Sequence, residues 1–216
     1  GDDAYIDEDL CREQKIKLYT NEFLMLVSSS NEKKTALARF DCYTKPIRQV
    51  RDLKNEIMWG VLPRNKEQSF AFDLLFDDEI PLVSLIGKAG SGKTLMAIAA
   101  GLEQTLGIKE GQYRRIIISR PVQPLGKDIG FLPGTMQDKM MPWLKPIQDN
   151  IQHIMGDDRT MLSSYVERGK IEVEALTYIR GRSISNAFVI IDEAQNLTAH
   201  EVKTIITRIG ENTKIV

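Results

Sequence analysis

The chain has 216 residues, 42% of them hydrophobic and 27% charged, with 29 basic against 30 acidic side chains and a formal net charge of −1. That length suits one large domain, or a domain with a small appendage, and the near-zero charge excludes a global basic field, so nucleic-acid contact would need a local patch. No apolar run approaches the ~18 residues of a membrane span, no basic and apolar leader opens the chain, and Cys11 and Cys42 form no metal-spaced set with His153 or His200, which together point to a soluble, cytoplasmic protein.

Residues 1–15 are acidic and polar and read as a tail or linker; the absence of an initiator Met suggests a fragment or a processed chain. From Lys15 to about Arg51 the pattern favours strands. Phe23-Leu24-Met25-Leu26-Val27 is apolar, Ser28-Ser29-Ser30-Asn31 turns the chain, and Ala36-Leu37-Ala38-Arg39-Phe40 follows. Residues 1–60 are therefore expected to be a linker with a small β-rich element. From Val61 onward, apolar strand runs alternate with amphipathic helices, the pattern of a parallel α/β sheet.

Within that region Leu82, Val83, Leu85 and Ile86 suit a buried strand, and Gly87-Lys88-Ala89-Gly90-Ser91-Gly92-Lys93-Thr94 follows at once. The spacing is G-x-x-x-x-G-K-T, a phosphate cradle: glycines let backbone N–H groups turn inward, Lys93 reaches the β/γ oxygens, and the Thr94 hydroxyl sits on Mg²⁺. Leu95, Met96, Ile98, Ala99, Leu102 and Leu106 then repeat at helical spacing up to Gly107. A chance Gly-rich turn is the bland alternative, and the flanking strand and helix argue against it. Ile116-Ile117-Ile118 and Ile171-Glu172-Val173 read as further strands. Met136, Met140 and Met141 look like helix-face filler, and Trp143, in a loop between two prolines, is a packing anchor or a base-stacking platform.

Ala187-Phe188-Val189-Ile190-Ile191 is a buried-strand run ending in Asp192-Glu193. A carboxylate at the carboxyl end of a parallel strand faces the ligand crevice. Asp192 is thus placed to hold Mg²⁺ opposite Thr94, and Glu193 to polarise a water for attack on a γ-phosphate. Thr198 and Glu201 form a capping box for a helix whose apolar face is Val202, Ile205, Ile206 and Ile209 and which Gly210 ends; Lys214-Ile215-Val216 starts one more strand.

Residues 63–216 resemble the PhoH family of P-loop ATPases. The resemblance lies in Arg64-Asn65-Lys66-Glu67-Gln68, the phosphate loop, Ser119-Arg120-Pro121-Val122, the Gly126–Gly134 segment, Tyr178-Ile179-Arg180-Gly181-Arg182-Ser183 and Asp192-Glu193-Ala194-Gln195-Asn196-Leu197. It implies a P-loop NTPase, RecA-like and related to superfamily 1 helicases, with a parallel sheet flanked by helices. It further implies ATP and Mg²⁺ as ligands, a homo-oligomeric, hexameric ring, single-stranded RNA as partner, and an upstream PIN-type ribonuclease domain in the longer members. By the same resemblance Gln68 reads adenine, with a solvent-facing Gln as the alternative. Arg120 touches a nucleic-acid backbone or closes an ion pair, and Arg182 or Arg180 serves as an arginine finger or steadies its own loop. The family continues after the last strand with a Thr-Gly-Asp-type sensor. The 61–216 core is expected to stop short of it, so that nucleotide binding survives while turnover depends on groups beyond Val216. Two other classes stay open: a P-loop kinase, which would need an acceptor site, and a nucleotide-gated assembly module with little turnover.

Overall fold

A computed structural model describes residues 4–53, 59–107, 111–121, 136–156, 159–179 and 183–216, with the backbone alone at 136–143, 159, 177 and 178. The chain divides into two compact units, Gly1–Asn55 with Pro63–Asp73, and Glu56–Leu62 with Leu74–Val216.

In the first unit the acidic start is not wholly a tail. Helix α1 (Glu8–Glu13) forms because Asp7 Oδ1 accepts from Leu10 N at 3.0 Å, Glu8 and Asp9 sit in the positive first turn, and Cys11 is buried. Strands β1 (Phe23–Ser28), β2 (Asn31–Arg39) and β3 (Arg48–Gln49) make an antiparallel sheet in that order. The β1–β2 register runs from Phe23↔Arg39 to Val27↔Thr35 and shifts at Ser28, beside the expected serine turn. Ala38, Phe40, Val50, Leu53 and Phe72 form the core. Phe23 stacks on Phe70 with ring centroids 4.2 Å apart. Arg39, almost wholly buried, pairs with Asp73 at 3.4 Å. Phe70, Phe72 and Asp73 belong to helix α2 (Lys66–Leu75).

The second unit is a parallel sheet of order β5-β4-β6-β7, from β4 (Arg115–Arg120), β5 (Ile171–Ala175), β6 (Ala187–Ile191) and β7 (Lys214–Ile215). Beside β7, Val83 N donates to Ile215 O at 2.9 Å and Ile215 N to Pro81 O at 2.8 Å. The segment entering the phosphate loop therefore lies next to β7, which stands between it and β6. The strand expected over 82–86 is reduced to this single bridge at Leu82. Val83 is buried, but Leu82 is 54% and Ile86 93% exposed.

Side chains alternate across the sheet. On one face Ile116 and Phe188 receive helix α3 (Lys93–Leu106) so closely that a Cβ at Gly101 would lie 2.5 Å from Ile116 Cδ1. On the other, Ile117, Val189, Ile191 and Ile215 pack with Ile179 and Ile184 and with Ile205 of helix α7 (Ala199–Ile206). The α7 capping box forms in full, Thr198 N donating to Glu201 Oε2 at 2.8 Å and Glu201 N to Thr198 Oγ1 at 3.3 Å. The helix ends a turn earlier than expected, because Ile209 leaves it to bridge Ile184, and Val202 and Ile206 remain exposed.

Helix α4 (Met136–Ile154) runs through Pro142 and Pro146, where sequence reading places a loop. Its stripe of Leu144, Ile147, Ile151 and Ile154 at helical spacing is buried and outweighs the two missing backbone donors. Helices α5 (Arg159–Glu167) and α6 (Leu176–Ile179) flank β5. Among the described residues no helix is long and apolar enough to cross a membrane.

Candidate nucleotide site

The loop from Gly87 to Gly92 is shaped by its glycines. Gly90 (φ 76°) and Gly92 (φ 84°, the N-cap of α3) take left-handed conformations that a side chain resists, so a larger residue would reopen the turn. A Cβ at Gly87 would come within 3.1 Å of Ser91 Oγ. The first amides of α3, including those of Thr94 and Leu95, point out of the helix start, where the partial positive charge of the dipole adds to them. Lys88 and Ala89 form the outer, exposed rim.

Lys93 is folded back onto its own loop, Nζ donating to Gly87 O at 2.8 Å and Lys88 O at 3.0 Å. The lysine is thereby held over the cradle by neutral acceptors, which an incoming anion outcompetes. Thr94 Oγ1 donates to Asp192 Oδ1 at 2.8 Å, joining residues 98 apart in sequence. Parallel pairing carries Asp192 there: Ser119↔Ile191 is the last register pair of β4 and β6, and Asp192 N still donates to Ser119 O at 2.8 Å. The strand end thus meets the helix start at one point. A hydroxyl and a carboxylate oxygen side by side are hard donors, the type Mg²⁺ takes, so these residues fit that ion.

Glu193 follows with a left-handed backbone, φ 56° and ψ 39°, which costs a non-glycine residue about 1–2 kcal/mol. Strain of this kind is retained where the surrounding structure over-determines a residue. Its Oε1 lies 3.4 Å from Arg120 Nη2, and its Oε2 accepts from Gln195 Nε2. Arg120 Nη1 also stands 3.9 Å from Asp192 Oδ2.

The structure therefore brings Lys93, Thr94, Asp192, Glu193 and Arg120 to one end of the sheet. Arg120 adopts the ion pair that the sequence left as an alternative to a nucleic-acid contact. Gln68 lies in the first turn of α2, in the other unit. Its backbone N–H donates to Asn65 Oδ1 at 2.8 Å and its Oε1 accepts from Arg64 N at 2.7 Å, so it serves its own helix start. Arg180, Arg182 and the Gly126–Gly134 segment lie outside the described residues, as does the Trp143 side chain. Gln195 had no role from sequence; its place two residues after Glu193, on the short 3-10 turn Ala194–Asn196, is the signal that could have suggested one.

The family described as PhoH-like protein matches residues 60–216. Protein PhoH2 of Bacillus subtilis (strain 168) is 46% identical over 203 residues, covering 92% of this chain and 45% of the relative. Protein PhoH2 of Thermobispora bispora is 42% identical over 173 residues, 80% of this chain and 38% of the relative. A PhoH-like protein of Bacillus subtilis is 40% identical over 135 residues, 62% of this chain and 41% of the relative. The chain spans less than half the length of these curated relatives.

Proposed function

The chain belongs to the PhoH-like family, with a P-loop NTPase α/β core and a small antiparallel β element, and from that premise we propose that it binds ATP with Mg²⁺ and hydrolyses it. The observation carrying this reading is the 2.8 Å bond between Thr94 Oγ1 and Asp192 Oδ1, which couples the phosphate loop to an acidic strand end. A loop for phosphates alone needs no such carboxylate.

The amides at the α3 start and the loop glycines would bind the β- and γ-phosphates, and Lys93 would exchange its carbonyl partners for phosphate oxygens. Thr94 and Asp192 would hold Mg²⁺, which when bound neutralises charge on the phosphate oxygens. Glu193 would orient a water in line with the γ-phosphorus and take up its proton as the new P–O bond forms and ADP leaves. A water-directing carboxylate one residue after the metal carboxylate favours hydrolysis over transfer to a second substrate. Gln68 remains the proposed adenine reader and Arg182 the proposed arginine finger. A hexameric ring, single-stranded RNA as partner and an upstream PIN-type domain are proposals for the whole protein, resting on the resemblance alone.

The test is phosphate release from ATP·Mg²⁺ with and without single-stranded RNA. Stoichiometric ADP and phosphate support hydrolysis. A phosphorylated acceptor without free phosphate contradicts it, and nucleotide-dependent assembly with negligible turnover leaves only the binding half of the reading.

A further inference from the structure

Glu193 is engaged at both carboxylate oxygens, Oε1 facing Arg120 Nη2 at 3.4 Å and Oε2 receiving Gln195 Nε2. The backbone fixes this aim, because Glu193 is left-handed and its carbonyl closes the following turn by accepting from Asn196 N at 3.0 Å. Arg120 stands at the carboxyl end of β4, one residue beyond the Ser119↔Ile191 register pair that sets it beside the acidic pair. Its side chain is 25% exposed, so a solute can reach it. A carboxylate engaged at both oxygens is held in the orientation its partners set, and is not free to turn toward a water. A phosphate, with more charge and a bidentate match, is the better partner for that guanidinium.

We infer that Arg120 is a positioning residue that restrains Glu193, and that a phosphate group drawing the guanidinium away frees the carboxylate to direct water. The inference rests on the hydrolysis reading above. The phosphate can come from the bound nucleotide or from a nucleic-acid strand. Either source engages the same chemistry, and the two are separated by experiment.

The experiment compares wild type, Arg120→Gln and Arg120→Lys in the full chain by two readouts. The first is ATP hydrolysis with and without oligo(U) RNA. The second is hydrogen exchange at the Asn196 and Leu197 amides, which bond to Glu193 O and Ala194 O at 3.0 Å each. Removing the restraint should raise kcat in the absence of RNA about two- to fivefold, the range of a partly exposed ion pair. KM for ATP should be unchanged where a strand is the phosphate source and should rise where the nucleotide is, and Arg120→Lys should fall between. In wild type the two amides should exchange faster when the phosphate source is present. Acceleration by a non-hydrolysable ATP analogue with Mg²⁺ identifies the nucleotide; acceleration by RNA alone identifies the strand. A fall in kcat at constant KM in Arg120→Gln overturns the inference, as do exchange rates indifferent to the substitution and to both ligands. A wild-type rate no higher than that of Glu193→Gln sinks the hydrolysis reading instead, and amide exchange then still decides whether Arg120 restrains the turn.

Discussion

Gly101→Ala is expected to destabilise the protein, although an alanine in a helix interior ordinarily does the reverse. Gly101 lies in α3 with its back to the sheet. An added Cβ would come 2.5 Å from Ile116 Cδ1 and 2.8 Å from Phe188 Cδ1. Ile116 and Phe188 are both fully buried, so neither can swing into solvent. Overpacking of this kind costs about 1–3 kcal/mol, while replacing glycine by alanine in a helix returns about 1 kcal/mol. Taking ~2 for the strain, the net loss is ~1 kcal/mol. The consequence reaches the site, since pushing α3 off β4 and β6 moves the helix start that carries Lys93 and Thr94. Urea unfolding of the Gly101→Ala chain should show a lower midpoint at unchanged slope, and ATP affinity should fall with it. A gain of the full ~1 kcal/mol would refute the close approach of α3 to the sheet.

Asp73→Ala removes the carboxylate that faces buried Arg39 at 3.4 Å and accepts from Arg51 N at 3.2 Å. Breaking a buried pair from one side costs about 3–5 kcal/mol, and thermal unfolding that shifts by less than the equivalent of ~1 kcal/mol would contradict the packing of the N-terminal unit. Thr198→Ala should cost about 1 kcal/mol through loss of the α7 cap, measurable as a lower urea midpoint, with Thr198→Ser restoring most of it. Burial, with the Asp78 charge adding to it, pushes the Tyr113 phenol up to about 12 from 10. The neutral phenol is thus favoured by the fold; its contribution is full below pH 10 and lost as pH rises from 10 to 12. Phenolate absorbance should show a component absent from Tyr113→Phe that titrates near 12, and a component near 10 would contradict the burial.

Much of the site was legible because its signals are local. The cradle depends on consecutive residues, Gly87 through Thr94, and the acidic pair on a five-residue apolar run whose length suits a buried strand better than a helix. The α7 capping box is likewise written within four residues. What escaped reading depends on pairing between distant segments. Nothing near Arg120 in sequence announces that β4 and β6 run in register and deliver its guanidinium to Asp192 and Glu193. The strand before the phosphate loop has the composition of a core strand, yet among the described residues it pairs with β7 through Pro81–Val83 and leaves Ile86 in solvent. Helix α4 was hidden by Pro142 and Pro146, whose local preference loses to a buried Leu144–Ile154 stripe. Helix α1 is six residues long and owes its existence to the Asp7 cap and to burial of Cys11, and only the cap is visible in sequence.

On the proposed reading, a phosphate loop and an acidic strand end, joined through Thr94 and Asp192, form one hydrolytic site. Nucleotide binding and phosphate release by wild type, Lys93→Ala and Glu193→Gln test it most directly. Lys93→Ala should lose ATP binding, whereas Glu193→Gln should bind ATP·Mg²⁺ as wild type does and release phosphate about a hundredfold more slowly, the low end for loss of a general base. Equal rates for Glu193→Gln and a hydrolysing wild type would contradict the assignment of the water-directing carboxylate. Undiminished affinity in Lys93→Ala would contradict the cradle itself.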